Sequence, residues 1–105
     1  MCGDATLNSD VKALMNGHMA DMIFTNPPYN VNYSGKGKNN LGGIKSDNMS
    51  DGDFNSFCNS FFSQYFSAGK DLAIIYVCHP DSKTEPKVSF EVGFGKFFKK
   101  SSTII

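Results

Sequence analysis

An α/β fold built on a mostly parallel sheet flanked by helices is what this sequence predicts, on three observations. Two short apolar runs, Asp21-Met22-Ile23-Phe24 and Asp71-Leu72-Ala73-Ile74-Ile75-Tyr76-Val77-Cys78, each lead into a polar exit that contains proline. Between them, aromatic residues recur at helical spacing. The second apolar run is continuous rather than alternating, the pattern of a parallel strand covered on both faces.

The elements follow in chain order. Met1-Cys2-Gly3-Asp4-Ala5 reads as the end of a strand with an acidic residue just past its tip, and Asn8 to Met15 as a short helix. With the strand Asp21–Thr25 they make a βαβ half-unit. In open parallel sheets ligands sit at the carboxyl ends of the strands, which is where Asp4 and Asn26 are expected. Ser50-Asp51-Gly52-Asp53 is a helix start, a serine cap with an acidic residue three places on. Phe54, Phe57, Cys58, Phe61, Phe62, Tyr65 and Phe66 then give an amphipathic helix of about four turns, ending near Gly69. At this strict spacing the aromatic stripe reads as core rather than as a surface for stacking bases. Thr84-Glu85-Pro86 resembles a helix cap with proline in the first turn, yet Val88, Phe90, Val92 and Phe94 alternate with the period of a strand. Gly93-Phe94-Gly95 follows no clear strand and has no acidic residue at ribose-binding distance, so it reads as a helix stop and turn rather than a dinucleotide loop.

The chemistry concentrates in Thr25-Asn26-Pro27-Pro28-Tyr29-Asn30. Consecutive prolines fix φ and remove two backbone donors, so the segment should be extended and stiff. A loop of this kind can grip a planar amine. The Asn26 side-chain oxygen and the Pro27 carbonyl each accept a hydrogen from an NH2 group, and Tyr29 lies against the ring face. By itself Asn-Pro-Pro-Tyr also reads as an ordinary strand-exit turn.

Composition narrows the reading. The chain has 105 residues and a formal net charge of zero, which is one small domain. Every basic residue is lysine. Neither a strong positive patch nor the arginines that usually read guanine are evident, so composition gives no sign of sequence-specific nucleic-acid readout by this chain. Lys36, Lys38 and Lys45 form a weak basic cluster that reads equally as a phosphate-contact strip or a solvated loop. Cys2, Cys58 and Cys78 have no metal-like spacing, and their odd number argues against a closed disulfide framework. His18 and His79 have no partner at ligand spacing, so no metal is expected. No signal peptide or membrane-length apolar run is evident, and a reducing cytoplasm is the expected compartment.

Taken with its flanks, the loop resembles a known family. Gly3-Asp4, Asn26-Pro27-Pro28-Tyr29, the continuation Asn30-Val31-Asn32-Tyr33 and Ile44-Lys45-Ser46-Asp47-Asn48-Met49-Ser50 look like the amino-terminal part of a DNA amino-methyltransferase. The likeness is to the group whose catalytic loop precedes its cofactor loop, as in phage and restriction-modification enzymes. It runs over essentially all of residues 1–105, since Tyr76 to Pro80 and Ser101-Ser102-Thr103-Ile104-Ile105 resemble later strands of that family.

The resemblance implies a partial Rossmann-like fold, S-adenosyl-L-methionine as cofactor and DNA as partner, with methyl transfer to N6 of adenine or N4 of cytosine; adenine is the favoured target. It implies catalytic roles for Asn26, Pro27, Pro28 and Tyr29, and cofactor contacts from Asp4, Ala5 and Asn26. Asp4 would accept from the adenine amine of the cofactor, or simply cap the following helix. His79 would border the cleft, although a plain exit turn explains it as well. A helix is implied over the ambiguous stretch after Thr84. The group usually opens its loop with Asp where this chain has Asn26; related amino-methyltransferases use Asn, and Asn-Pro-Pro-Tyr also occurs in enzymes that methylate protein glutamine or ribosomal RNA.

Two expectations complete the reading. Residues 30–50, rich in glycine and asparagine, are expected to form a mobile lid. The glycine-rich cofactor loop of the family is missing, so the chain reads as the front part of a longer enzyme, inactive alone or a non-catalytic remnant. The unfinished sheet edge near Ser101–Ile105 is then open to self-association.

Overall fold

A computed structural model of the chain describes residues 1–30, 48–81 and 85–102. In order the elements are α1 (Asn8–Met15), β1 (Ala20–Thr25), α2 (Asp51–Ala68), β2 (Gly69–Val77) and α3 (Glu85–Phe97). β1 and β2 pair in parallel, with Met22 opposite Ile74, Phe24 opposite Tyr76 and Thr25 opposite Val77. The α/β class and the parallel pairing agree with the sequence, but the βαβ unit is β1–α2–β2 and not the expected one at the amino terminus.

Residues 1–5 form no strand. Their polar groups turn inward on the chain instead of outward to a ladder. The Asp4 N–H donates to Asp10 Oδ2 at 2.8 Å, while Asp4 Oδ1 accepts from the Thr6 N–H at 2.9 Å and the Thr6 hydroxyl at 2.7 Å. That is an Asx turn, in which a side chain supplies what a strand neighbour would otherwise supply. Nor does Asp4 cap α1, whose N-cap is Leu7 with no side-chain cap bond. The helix ends at Asn16 in the left-handed region, φ 48°, and Gly17 follows at φ 81°.

α2 starts where the serine signal put it. Ser50 Oγ accepts from the Asp53 N–H at 3.2 Å, and Asp51 and Asp53 complement the helix dipole in the first turn. The helix runs 18 residues between the expected bounds and passes into β2 at Gly69 with no intervening loop. Its stripe is core, as its spacing implied: Phe54, Cys58, Phe61 and Phe62 are buried, together with Phe90 of α3. Phe62 alone has ring contacts to Phe61, Tyr65, Phe90, Phe94 and Phe98 at centroid separations of 4.6 to 6.5 Å. Aromatic pairs of this kind contribute about 0.5–1.5 kcal/mol each beyond area burial.

The stretch after Thr84 is helical. Phe90, Phe94 and Phe97 turn to the core, while Val88 and Val92 face outward at 47% and 50% exposure. The period-two pattern was thus two helical faces interleaved. Gly93 and Gly95 do not stop α3 but lie within it. Gly93 is where the helices touch, since a Cβ there would stand 3.1 Å from Phe62 Cδ2.

One face of the sheet is covered and one is not, against the expectation for β2. Ile23, Thr25, Ala73, Ile75 and Val77 are half-buried, whereas Met22, Phe24, Ile74 and Tyr76 are exposed. α1 and α3 both pack on α2, and among the described residues nothing lies over the second face. Ser101 and Ser102 are irregular, and the rest of the expected edge, residues 103–105, is outside the described residues. No helix among the described residues is long and apolar enough to cross a membrane.

Two predictions follow from the helical seam. Gly95→Ala, with no heavy atom within 4 Å of the new Cβ, should stabilise the fold by about 0.5–1 kcal/mol. Gly93→Ala should destabilise it, because the rigid Phe62 ring cannot retreat; urea denaturation of both variants reads the opposite signs. Burial also pushes the Cys58 thiol from 9.0 to about 12. The unfolded chain loses this proton first, so stability is full below pH 9 and declines as pH rises toward about 12. Denaturation midpoints across that range should fall less steeply for Cys58→Val than for the parent chain.

Candidate functional site

Both strands end on the same side of the sheet, and their exits make the site. The ladder extends one step past the strands, with the Cys78 N–H donating to the Thr25 carbonyl at 2.9 Å. Asn26 therefore stands beside the start of the Cys78-His79-Pro80 exit. The Thr25 hydroxyl and the Tyr65 hydroxyl hydrogen-bond at 3.0 Å, fastening the tip of β1 to α2.

The loop that follows is held along its length. Pro27 is buried and Pro28 half-buried. Tyr29 packs on the core, edge-to-face with Phe90 at 6.0 Å and 88°. Burial, and secondarily the nearby Cys78, raise the Tyr29 phenol above its usual value. Asn30 adopts φ 58°, a left-handed conformation that asparagine tolerates. Its amide pairs with the Met49 backbone in both directions, Nδ2 donating to the carbonyl at 3.0 Å and Oδ1 accepting from the N–H at 2.6 Å. This clamp joins the loop to the residue before the α2 cap.

Asn26 itself is exposed and, among the described residues, makes no hydrogen bond. Its amide is thus presented to solvent on a fixed backbone. On the other exit, His79 Nδ1 lies 2.8 Å from the Pro80 carbonyl oxygen. A carbonyl only accepts, so Nδ1 carries the hydrogen and, in the neutral ring, Nε2 is left as an acceptor. The imidazole rests 6.4 Å from the Phe90 ring.

An open cleft of about 1510 Å³ borders these exits and runs along β2 and α3. Tyr29, Cys78, His79 and Phe90 line it; Asn26, Pro27, Pro28, Asp4 and Ala5 do not. Its volume exceeds the ~300–1,000 Å³ of ordinary small-molecule pockets, as befits a groove rather than an enclosed chamber. The structure therefore brings Asn26, Pro27, Pro28 and Tyr29 together on one stiff loop. It does not build a strand-tip partner from Asp4 and Ala5, which are exposed in the amino-terminal turn.

Phe90 and Asn30 are the residues the sequence reading missed. Phe90 supports both Tyr29 and His79, and its signal was the i, i+4 relation to Phe94 hidden inside the alternating pattern. Asn30 entered only as a flank of the motif; nothing local announces a bond to Met49. Most of the expected lid, residues 31–47, lies outside the described residues, as do Lys36, Lys38 and Lys45. Among the described residues no group of three or more His, Cys, Asp or Glu side chains is arranged to hold a metal. No family model matches the chain, and no curated protein or solved structure matches it either.

Removing the clamp is a direct test of its part in the site. Asn30→Ala should lower stability by about 1–3 kcal/mol, since it deletes two part-buried hydrogen bonds and puts alanine at a positive φ. Asn30→Asp keeps the acceptor but loses the donor to the Met49 carbonyl, and should fall between. Thermal unfolding of the three proteins gives the order.

Proposed function

We propose that this chain carries the amine-gripping part of a Rossmann-like amino-methyltransferase that acts on the exocyclic amine of a flipped DNA base, most simply N6 of adenine. The observation that carries the reading is the exposed Asn26 amide on a proline-stiffened exit at the carboxyl end of a parallel strand. Thr25–Tyr65, buried Pro27, Tyr29 on Phe90 and the Asn30–Met49 clamp hold that exit.

The chemistry of these side chains suits the task. A base rotated out of the duplex loses a few kcal/mol of stacking and pairing, and the neutral Tyr29 ring offers a replacement surface. Asn26 Oδ1 and the Pro27 carbonyl accept the two amine hydrogens, which turns the nitrogen lone pair out of conjugation with the ring. The contribution is alignment and fixed dipoles, with no covalent intermediate on the protein. Cys78 is on the opposite exit rather than on the gripping loop, so attack on a pyrimidine ring by a loop cysteine has no counterpart.

S-adenosyl-L-methionine is the donor that the family resemblance implies, and it supplies an electrophilic methyl group. The described residues fit the acceptor better than this donor. Asp4 Oδ1 already accepts two hydrogen bonds from Thr6, and Asp4 and Ala5 lie away from the cleft lining. A cofactor cradle is not assembled from them.

Incubation with methyl-labelled S-adenosyl-L-methionine and duplex DNA, followed by nucleoside analysis, tests the proposal. The chain alone, without an assembled cofactor cradle, should form no product; fused to a cofactor-binding part it should form N6-methyladenine, and this should drop at least a hundredfold in Asn26→Ala, in the range of lost transition-state donors and acceptors. Methylation that survives in both Asn26→Ala and Tyr29→Ala, or label that goes to protein glutamine or RNA in place of DNA, contradicts it.

A further inference from the structure

The uncovered face of the sheet carries apolar side chains to which the proposed chemistry gives no role, and three of them, Phe24, Ile74 and Tyr76, also line the cleft. Met22, Phe24, Ile74 and Tyr76 are 59%, 68%, 59% and 46% exposed, and they stand as two registered pairs, Met22 with Ile74 and Phe24 with Tyr76. The Phe24 and Tyr76 rings are 6.5 Å apart and tilted by 37°, already one patch. Leu72, 94% exposed in the irregular part of β2, rims it. We infer that this face is a homodimer interface, covered by the same face of a second copy of the chain in a two-layer sheet packing.

Three properties select a second copy as the occupant. Area is the first. At 150–250 Å² for a large side chain, the exposed fractions of these five residues amount to ~600 Å² of mostly apolar surface. That is at the upper limit for a patch on a monomer and at the lower end of what each partner contributes to a standard interface. Shape is the second. The aromatic pair lies at the carboxyl end of the strands and the aliphatic pair one step toward the amino end, so a two-fold axis that reverses strand direction sets the bulky pair of each copy over the slender pair of the other. Face-to-face sheets separated by ~10 Å need that alternation of large and small.

Charge is the third. None of the five residues is charged; at the rim Asp21 and Lys70 pair at 2.7 Å within the chain, and Asp71, next to Leu72, is exposed. With a formal net charge of zero, two identical copies meet without net repulsion.

Sedimentation equilibrium of the 105-residue chain, from low micromolar to near-millimolar protein, tests the inference. The parent chain should be a reversible dimer whose dissociation constant is insensitive to salt. Phe24→Lys should be monomeric throughout, and Ile74→Thr, which keeps the β-branch and strand propensity, should weaken the dimer about tenfold. Leu14→Lys, on exposed α1, should leave it unchanged, and circular dichroism checks that each variant is folded. If Phe24→Lys fails to fold, Ile74→Thr decides alone. A chain that stays monomeric at every concentration overturns the proposal. So does a dimer that Ile74→Thr leaves at full strength, since pairing would then run through a sheet edge or another surface.

Discussion

Packing of Phe90 and Phe62 in the seam between α2 and α3 fixes where both strand exits stand. The close approach of the helices depends on Gly93, whose missing side chain admits the Phe62 ring. Because the seam is close, Phe90 reaches the sheet side of the core and meets Tyr29 from β1 and His79 from β2. The core of this small fold is almost wholly aromatic, and its rings are both the hydrophobic interior and the floor of the candidate site. A change that loosens the seam would therefore be felt first at the loop, some distance from the substituted residue.

The Thr25–Asn30 loop is held by neutral contacts among the described residues. Proline supplies stiffness in the backbone, a hydroxyl pair fastens the strand tip, and one asparagine amide closes the other end on the Met49 backbone. What remains unfastened is the Asn26 amide, the group the proposed chemistry requires to be available.

Much of the fold was legible because the relevant signals are local. Ser50 three residues before Asp53, the Phe54-to-Phe66 stripe, and the apolar runs ahead of Asn26 and His79 each declare an element within a few residues. The errors came where a distant group decided the outcome. Residues 1–5 look like a strand end, but the Asp10 carboxylate and Thr6 satisfy Asp4 and fold the segment into a turn. β2 is apolar enough for two covers, yet helices gather on one face only. Gly93 and Gly95 look like punctuation because the sequence does not reveal that Phe62 needs the space. For the site, the loop residues were legible from proline and asparagine chemistry, whereas the Asn30 clamp and the Phe90 floor depend on contacts across the chain.

The proposed chemistry requires Asn26 and Tyr29 to grip a purine amine together. Its most direct measurement is NMR titration of the chain with a single-stranded oligodeoxynucleotide carrying one adenine, against the same strand with hypoxanthine, which has a carbonyl where adenine has the amine. The account predicts that the Asn26 side-chain amide and the Tyr29 ring resonances shift with adenine and that the Asn26 response is lost with hypoxanthine. Equal shifts with both strands, or shifts with adenine that leave Asn26 and Tyr29 untouched, would contradict it.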